Sequence, residues 1–227
     1  MRRYILVVAP VVLALVCFCV SIPVGAEEEA AQNDGWVSLF NGKDLTGWRQ
    51  INGFAKYEVE DGVIVGTTVT GSPNSFLCTE KLYADFELEF EVNVDSRLNS
   101  GVQIRSESLK EYRDRRVHGY QVEISTNGNA GFIYDEARRG WLSTDRTDET
   151  KRQAFKDGEW NKYRVVCLGD SMKTWVNGIA VADVVDSMTR RGFIGLQVHG
   201  FKGDPPAQVR WRNLRLKELT AAEGTGQ

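Results

Sequence analysis

From Trp36 onward the chain runs in short stretches of alternating apolar and polar residues, broken at Gly, Asn and Asp. Phe86-Glu-Leu-Glu-Phe-Glu-Val-Asn-Val94 is the plainest case, with every second residue apolar. Successive side chains on a strand point to opposite faces, so this pattern predicts a strand with one buried and one polar side. The same reading predicts strands over 56–60, 63–69, 75–79, 85–95, 101–106, 119–125, 131–134, 161–168, 172–177, 179–184, 192–199 and 208–218. No stretch carries the three-to-four-residue apolar spacing of an amphipathic helix of ordinary length. The expected fold class is therefore all-β, an antiparallel β-sandwich.

Two turns have a mechanism. Asn177-Gly178 and Asp61-Gly62 each separate two strand-like runs, and such pairs suit a tight hairpin because both central residues need positive φ. Hairpins at this spacing imply an antiparallel sandwich or jelly roll.

The first residues read differently. Arg2 and Arg3 precede an uncharged run from Ile5 to Val20, and Val24 and Ala26 supply the small residues of a cleavage site. This predicts a signal peptide over 1–26 and an exported protein, periplasmic or extracellular, that meets a membrane only before cleavage. An acidic, Ala-rich linker is expected over 27–34, one domain over 35–219 and a disordered tail over 220–227. Cleavage leaves 26 basic against 31 acidic residues, a net charge of −5. That balance argues against nucleic acid as a partner. Cys78 and Cys167 remain in the expected mature chain; they either pair in an oxidising compartment or serve as two small buried hydrophobes.

Parity then sorts the polar residues. In Gly101-Val-Gln-Ile-Arg105, Tyr120-Gln-Val-Glu-Ile124 and Gly195-Leu-Gln-Val-His199, the apolar residues take one face. Gln103 and Arg105, Gln121 and Glu123, and Gln197 and His199 take the other. These side chains suit hydroxyl recognition and proton transfer. If the three strands are neighbours, Arg105, Glu123 and His199 converge on a groove; otherwise they are scattered solvent positions. A second cluster follows: Tyr134 and Trp141 suit stacking on a sugar ring, while Asp135, Arg138 and Arg139 suit oxygen atoms or developing negative charge.

Several chemistries are absent. There is no GxSxG elbow, HExxH motif, phosphate loop or dinucleotide fingerprint. Glu87, Glu89 and Glu91 read as the solvated face of a half-buried strand, and no second acid follows Glu123 closely enough to form the paired-acid motif of sandwich glucanases.

The chain resembles the 3-keto-disaccharide hydrolase domain family. The resemblance rests on Trp36-Val-Ser-Leu-Phe-Asn-Gly-Lys-Asp-Leu-Thr-Gly-Trp48, Asn99-Ser-Gly-Val-Gln-Ile-Arg105, Gly119-Tyr-Gln-Val-Glu-Ile124 and Gly131-Phe-Ile-Tyr-Asp-Glu-Ala-Arg-Arg-Gly-Trp-Leu142. Trp160-Asn161, Val176-Asn-Gly178, Gly192-Phe-Ile-Gly-Leu-Gln-Val-His199 and Trp211-Arg-Asn-Leu214 complete it. It implies a concanavalin A-like jelly roll and cleavage of glycosides already oxidised at C3, supplied by an upstream sugar 3-oxidoreductase. A 3-keto group acidifies the C2 hydrogen, so a base can remove it, the C1 oxygen leaves, and water adds afterwards. On this resemblance Glu123 or His199 serves as base and acid, and Arg105 with Arg138 or Arg139 stabilises the enolate. Gln103, Gln121, Gln197 and Trp141 touch the sugar. No cofactor is implied; a divalent metal would take His199 and Glu123 as ligands. The alternative is a noncatalytic carbohydrate-binding module, which would use the aromatics without the ionisable trio.

Overall fold

The computed structural model describes Met1 and residues 34–220. The expected signal peptide, linker and tail lie outside the described residues apart from Met1, Asp34 and Thr220. No described helix is long and apolar enough to cross a membrane.

The strands are β1 (Trp36–Ser38), β2 (Trp48–Ile51), β3 (Lys56–Glu60), β4 (Val63–Thr67), β5 (Ser75–Thr79), β6 (Phe86–Val94), β7 (Ser100–Glu107) and β8 (His118–Ile124). They continue as β9 (Ile133–Glu136), β10 (Gly140–Trp141), β11 (Asn161–Leu168), β12 (Ser171–Val176), β13 (Ile179–Val185), β14 (Phe193–Val198) and β15 (Gln208–Glu218). One short helix, α1 (Glu149–Arg152), precedes β11 and is capped by the Asp148 side chain.

The strands form two antiparallel sheets. The first runs β13-β12-β11-β6-β15-β4-β3, with β1 paired to β15; the second runs β10-β9-β8-β7-β14-β5-β2. Their facing sides share one core, in which Phe86, Leu88 and Phe90 of β6 join Val102, Ile104, Tyr120, Val122 and Leu196 of the second sheet. This is a concanavalin A-like jelly-roll sandwich. Every strand expected from the alternation is present; β1, β2 and β10 were too short to show a period. At both expected hairpins Asn177, Gly178, Asp61 and Gly62 take positive φ, as a tight turn of this kind requires. Cys78 and Cys167 are free, buried thiols on different sheets, and burial pushes the Cys167 thiol up to about 12.

The sheets differ in one respect that matters. In β6 buried and half-buried positions alternate without a break, so its outward side meets solvent. In β8 and β14 every residue is buried, and in β7 every residue but the last. Those strands carry glutamines and a glutamate at alternate positions, so their outer side holds buried polar groups, which require partners.

Candidate functional site

Strand register places the polar side chains of the second sheet in two rows. In the first, Ile51 pairs with Phe76, Phe76 with Gln197, Gln197 with Gly101, and Gly101 with Glu123. In the second, Gly195 pairs with Gln103, Gln103 with Gln121, Gln121 with Tyr134, and Tyr134 with Trp141. Cross-strand partners share a face, so these residues form one continuous surface.

The centre of that surface is a relay of amides. Gln103 Nε2 and Gln197 Nε2 donate to Gln121 Oε1 at 2.6 and 2.9 Å, and Gln121 Nε2 donates to Glu123 Oε2 at 2.9 Å. The other Glu123 oxygen accepts from Asn99 Nδ2. An ionised carboxylate only accepts, which fixes the direction of the whole chain. The Gln103 oxygen is free to accept in turn, and Ser106 Oγ donates to it at 2.7 Å. Gly101 makes the arrangement fit: a Cβ there would lie 2.5 Å from Gln121 Cγ and Cδ, so only a residue without a side chain lets the Gln121 amide lie across the strand.

Above the relay is a compartment of about 220 Å³ lined by Asn99, Gln121, Glu123, Tyr134, Glu136, Trp141, Gln197 and His199. Tyr134 and Trp141 form its aromatic wall, with ring centroids 5.1 Å apart and edge-on, and the Arg146 guanidinium lies 4.2 Å from the Trp141 ring. His199 Nδ1 lies 2.8 Å from the Gly200 carbonyl oxygen. A carbonyl only accepts, so Nδ1 carries the proton, and in the neutral ring Nε2 keeps its lone pair.

The carboxyls are tuned toward neutrality. Burial pushes Glu123 up from 4.5 to about 7, against the hydrogen bonds of Gln121 and Asn99 and with help from the charge of Glu136. Burial also raises Glu136, although the charges of Arg116 and His199 and hydrogen bonds from Arg116 and Asn74 oppose it. A carboxyl titrating near neutral pH at the floor of a cleft is suited to take or give a proton.

Two of the three side chains expected to converge do so. Glu123 and His199 line the compartment, but Arg105 does not. The alternation breaks between Ile104 and Glu107, where β7 has two residues against the single Gly119 of β8, and Arg105 takes φ 47°. This bulge turns Arg105 off the polar face and puts Ser106 there instead. The fully buried Arg105 guanidinium binds the Ala84 and Gly169 carbonyls at 2.6 and 2.7 Å and Asp85 Oδ1 at 2.7 Å.

Asp135, Arg138 and Arg139 are also elsewhere. Asp135 pairs with Tyr120 and so lies on the side opposite Tyr134. Arg138 and Arg139 grip its two oxygens at 2.6 and 2.5 Å, and Arg138 reaches Thr189 while Arg139 reaches Asp186. They tie the β9–β10 turn to the segment after β13. Gln103 is fully buried and supports Gln121 rather than lining the compartment.

Sequence reasoning missed Glu136, Asn99, Asn74 and Arg116. Glu136 alternates with Tyr134 on β9, but the strand was expected to end at 134, which left Glu136 in a loop. It is the second acid that the spacing around Glu123 did not supply. Among the described residues no group of three His, Cys, Asp or Glu side chains is placed to hold a metal ion.

A 3-keto-disaccharide hydrolase of Bacteroides thetaiotaomicron is 23% identical over 82% of this chain and 79% of its own length. The crystal structure of a candidate glycosyl hydrolase from Parabacteroides distasonis superposes with a TM-score of 0.61 at 24% identity, covering 82% of this chain and 94% of that one. A Bacillus subtilis protein with a galectin-like fold superposes with a TM-score of 0.59 at 8% identity, covering 81% of this chain and 94% of that one. The model of the 3-keto-alpha-glucoside-1,2-lyase-like domain matches residues 35–217, and the chain belongs to that family.

Proposed function

We propose that this protein is an exported enzyme that cleaves the glycosidic bond of 3-keto-glycosides by C2 proton abstraction, elimination at C1 and hydration. The observation that carries this reading is Glu123, a buried carboxyl poised at about 7 on the floor of a compartment walled by amides and two aromatic rings. Elimination next to a ketone needs one base, a proton donor and groups that meet the enolate oxygen. Glu123 takes the C2 proton, its carboxylate aimed by Gln121 and Asn99. Glu136, raised by burial, gives a proton to the departing C1 oxygen. In the hydration that follows, the His199 Nε2 lone pair takes a proton from the water adding at C1 and passes it to Glu136, while Glu123 returns its proton to C2. With the arginines engaged elsewhere, the second amide N–H of the half-buried Asn99 meets the enolate oxygen. Tyr134 and Trp141 supply an apolar face for the ring. The substrate must come from an oxidation at C3, so a sugar 3-oxidoreductase acts upstream.

The test is incubation of residues 27–227 with 3-keto-glucosides and their unoxidised parents in deuterated buffer. Release of the leaving group from the 3-keto compounds alone, with deuterium entering at C2, is expected. Cleavage of the unoxidised glycosides at comparable rates, or release without exchange at C2, would overturn the mechanism. The alternative, a noncatalytic carbohydrate-binding module, draws on the aromatic wall; it predicts sugar binding that survives Glu123→Gln and no bond cleavage at any pH.

A further inference from the structure

The compartment above Glu123 has a neighbour. A second cavity of about 520 Å³ is lined by Asn52, Gly53, Pro73, Asn74, Phe76, Arg116, Glu136 and His199. Glu136 and His199 belong to both linings, so the two spaces adjoin at the groups proposed to move protons. The linings differ in character. The smaller space is floored by amides and Glu123; the larger has the exposed Pro73 on its wall with the buried Phe76 ring behind it, and Arg116 is the cation it adds. Phe76 lies beside Gln197 in the strand register, so the apolar wall begins where the amide row ends.

Arg116 is held in a way that the chain resists. Arg113, Asp114 and Arg115 before it have φ of 44°, 50° and 65°, three consecutive side-chain-bearing residues in the left-handed region, which persists only when the surroundings over-determine it. They do so here. Asn52 Nδ2 donates to the Arg115 carbonyl and Asn52 Oδ1 accepts from the Val117 amide at 2.7 Å. Ser108 Oγ donates to the same Arg115 carbonyl at 2.6 Å, and Tyr112 Oη ties the segment to the Ala137 carbonyl at 2.5 Å. The result is a guanidinium whose nearest carboxylate, Glu136, stands at 3.6 Å, with half of the arginine side chain exposed. One edge of the fork serves Glu136, and the rest of its five N–H donors, on the exposed half of the side chain, is left for another anion.

We propose that the larger cavity is a leaving-group subsite that selects a ring bearing a carboxylate, with Arg116 reading the charge and Pro73 offering the ring an apolar face. This rests on the glycoside-cleaving reading of the smaller compartment and names the substrate class of the same groove. The junction residues then stand at the scissile bond, with the 3-keto sugar on one side and the departing acid on the other.

The test compares the 3-keto-glucosides of 4-hydroxybenzoate and 4-hydroxybenzamide, which match in shape and differ in charge. The wild-type chain is expected to favour the benzoate about tenfold in kcat/KM, mostly through KM, the discrimination of one well-placed ion pair. Arg116→Ala brings the ratio close to one, and Arg116→Glu reverses it. Because each ratio is taken within one protein, a general loss of activity cancels. A ratio near one in the wild type, or an unchanged ratio in Arg116→Ala, overturns the subsite. Free 4-hydroxybenzoate, titrated against the protein and followed by chemical shifts, separates this from the cleavage reading. Binding that weakens about tenfold in Arg116→Ala, with no 3-keto-glucoside cleaved, sinks the cleavage reading and keeps the subsite. Cleavage without any preference for the benzoate sinks the subsite alone.

Discussion

The two sheets carry glutamates at alternate positions on their outward sides and use them in opposite ways. On β6, Glu87, Glu89 and Glu91 face Arg164, Lys162, Arg215 and Arg212, with Arg215 Nη2 2.6 Å from Glu89 and Arg212 Nε 2.7 Å from Glu91. Trp36, Trp175 and Trp160 lie under those arginines at 4.6, 4.4 and 4.1 Å. Burial alone would raise Glu89 and Glu91, but the arginine and lysine partners outweigh it and hold both below the usual carboxylate range. On the second sheet Glu123 has only neutral amide donors, and burial wins. What separates an inert carboxylate from a titrating one is therefore its depth of burial together with the charge of its partner, and not the alternation of residue types, which is the same in both.

This contrast is open to attack at several points. The largest effect is expected at Glu123. Its folded pKa of about 7 lies above its ordinary 4.5, so its stabilising contribution is full below about 4.5 and lost as pH rises through 7. The ionised form then costs about 3 kcal/mol. Glu123→Gln should gain up to that amount at pH 8 and nothing at pH 4, as read by urea denaturation at the two values, provided the Asn99 amide turns its oxygen toward the new NH₂. The same variant should lose about 100- to 10,000-fold in the rate of 3-keto-glucoside cleavage. The wild-type rate should rise with pH through about 7.

Gly101→Ala comes next. The added methyl would press on Gln121, with a loss of about 1–3 kcal/mol in stability and at least a tenfold fall in rate. A variant with unchanged rate would show that the Gln121 position does not matter to Glu123.

Glu89→Gln probes the other face. It should leave cleavage unchanged and cost about 1 kcal/mol or less at neutral pH, since its partners are half-exposed. The sign is opposite to that of Glu123: the Glu89 contribution is present at neutral pH and lost as pH falls through its depressed pKa, so wild type and variant should converge in acid. Ser106→Ala is the smallest. Removing the far end of the relay should cost about 1 kcal/mol and move the pH profile of kcat upward by a few tenths of a unit with KM unchanged. A change in KM alone would make Ser106 a packing residue.

Much of this was legible in the sequence. The alternation gave the strands and the sandwich, and parity gave Gln121, Glu123, Gln197 and His199 on one face. Three things were not legible. Parity assumes an unbroken strand, and the insertion of one residue between Ile104 and Glu107 reverses it, so Arg105 and Ser106 exchange roles. The Asp135, Arg138 and Arg139 cluster has the composition of a binding loop, yet its charges close on one another and on Asp186 across 47 residues of sequence, a long-range pairing that no local pattern reveals. Arg116 enters through a left-handed turn with no glycine in it, so nothing in the residue types announced that the chain would bend there.

The bulge in β7 also bears on how site residues are carried between chains of this fold. It changes the phase of a strand without any need to change its length or its apolar content. Two chains that align here residue for residue, one with the extra residue accommodated in this strand and one with it displaced into the following loop, would present different side chains to the groove at the same column. A guanidinium inferred at this site from a column of aligned arginines would in this protein be found tying Asp85 to Gly169 instead.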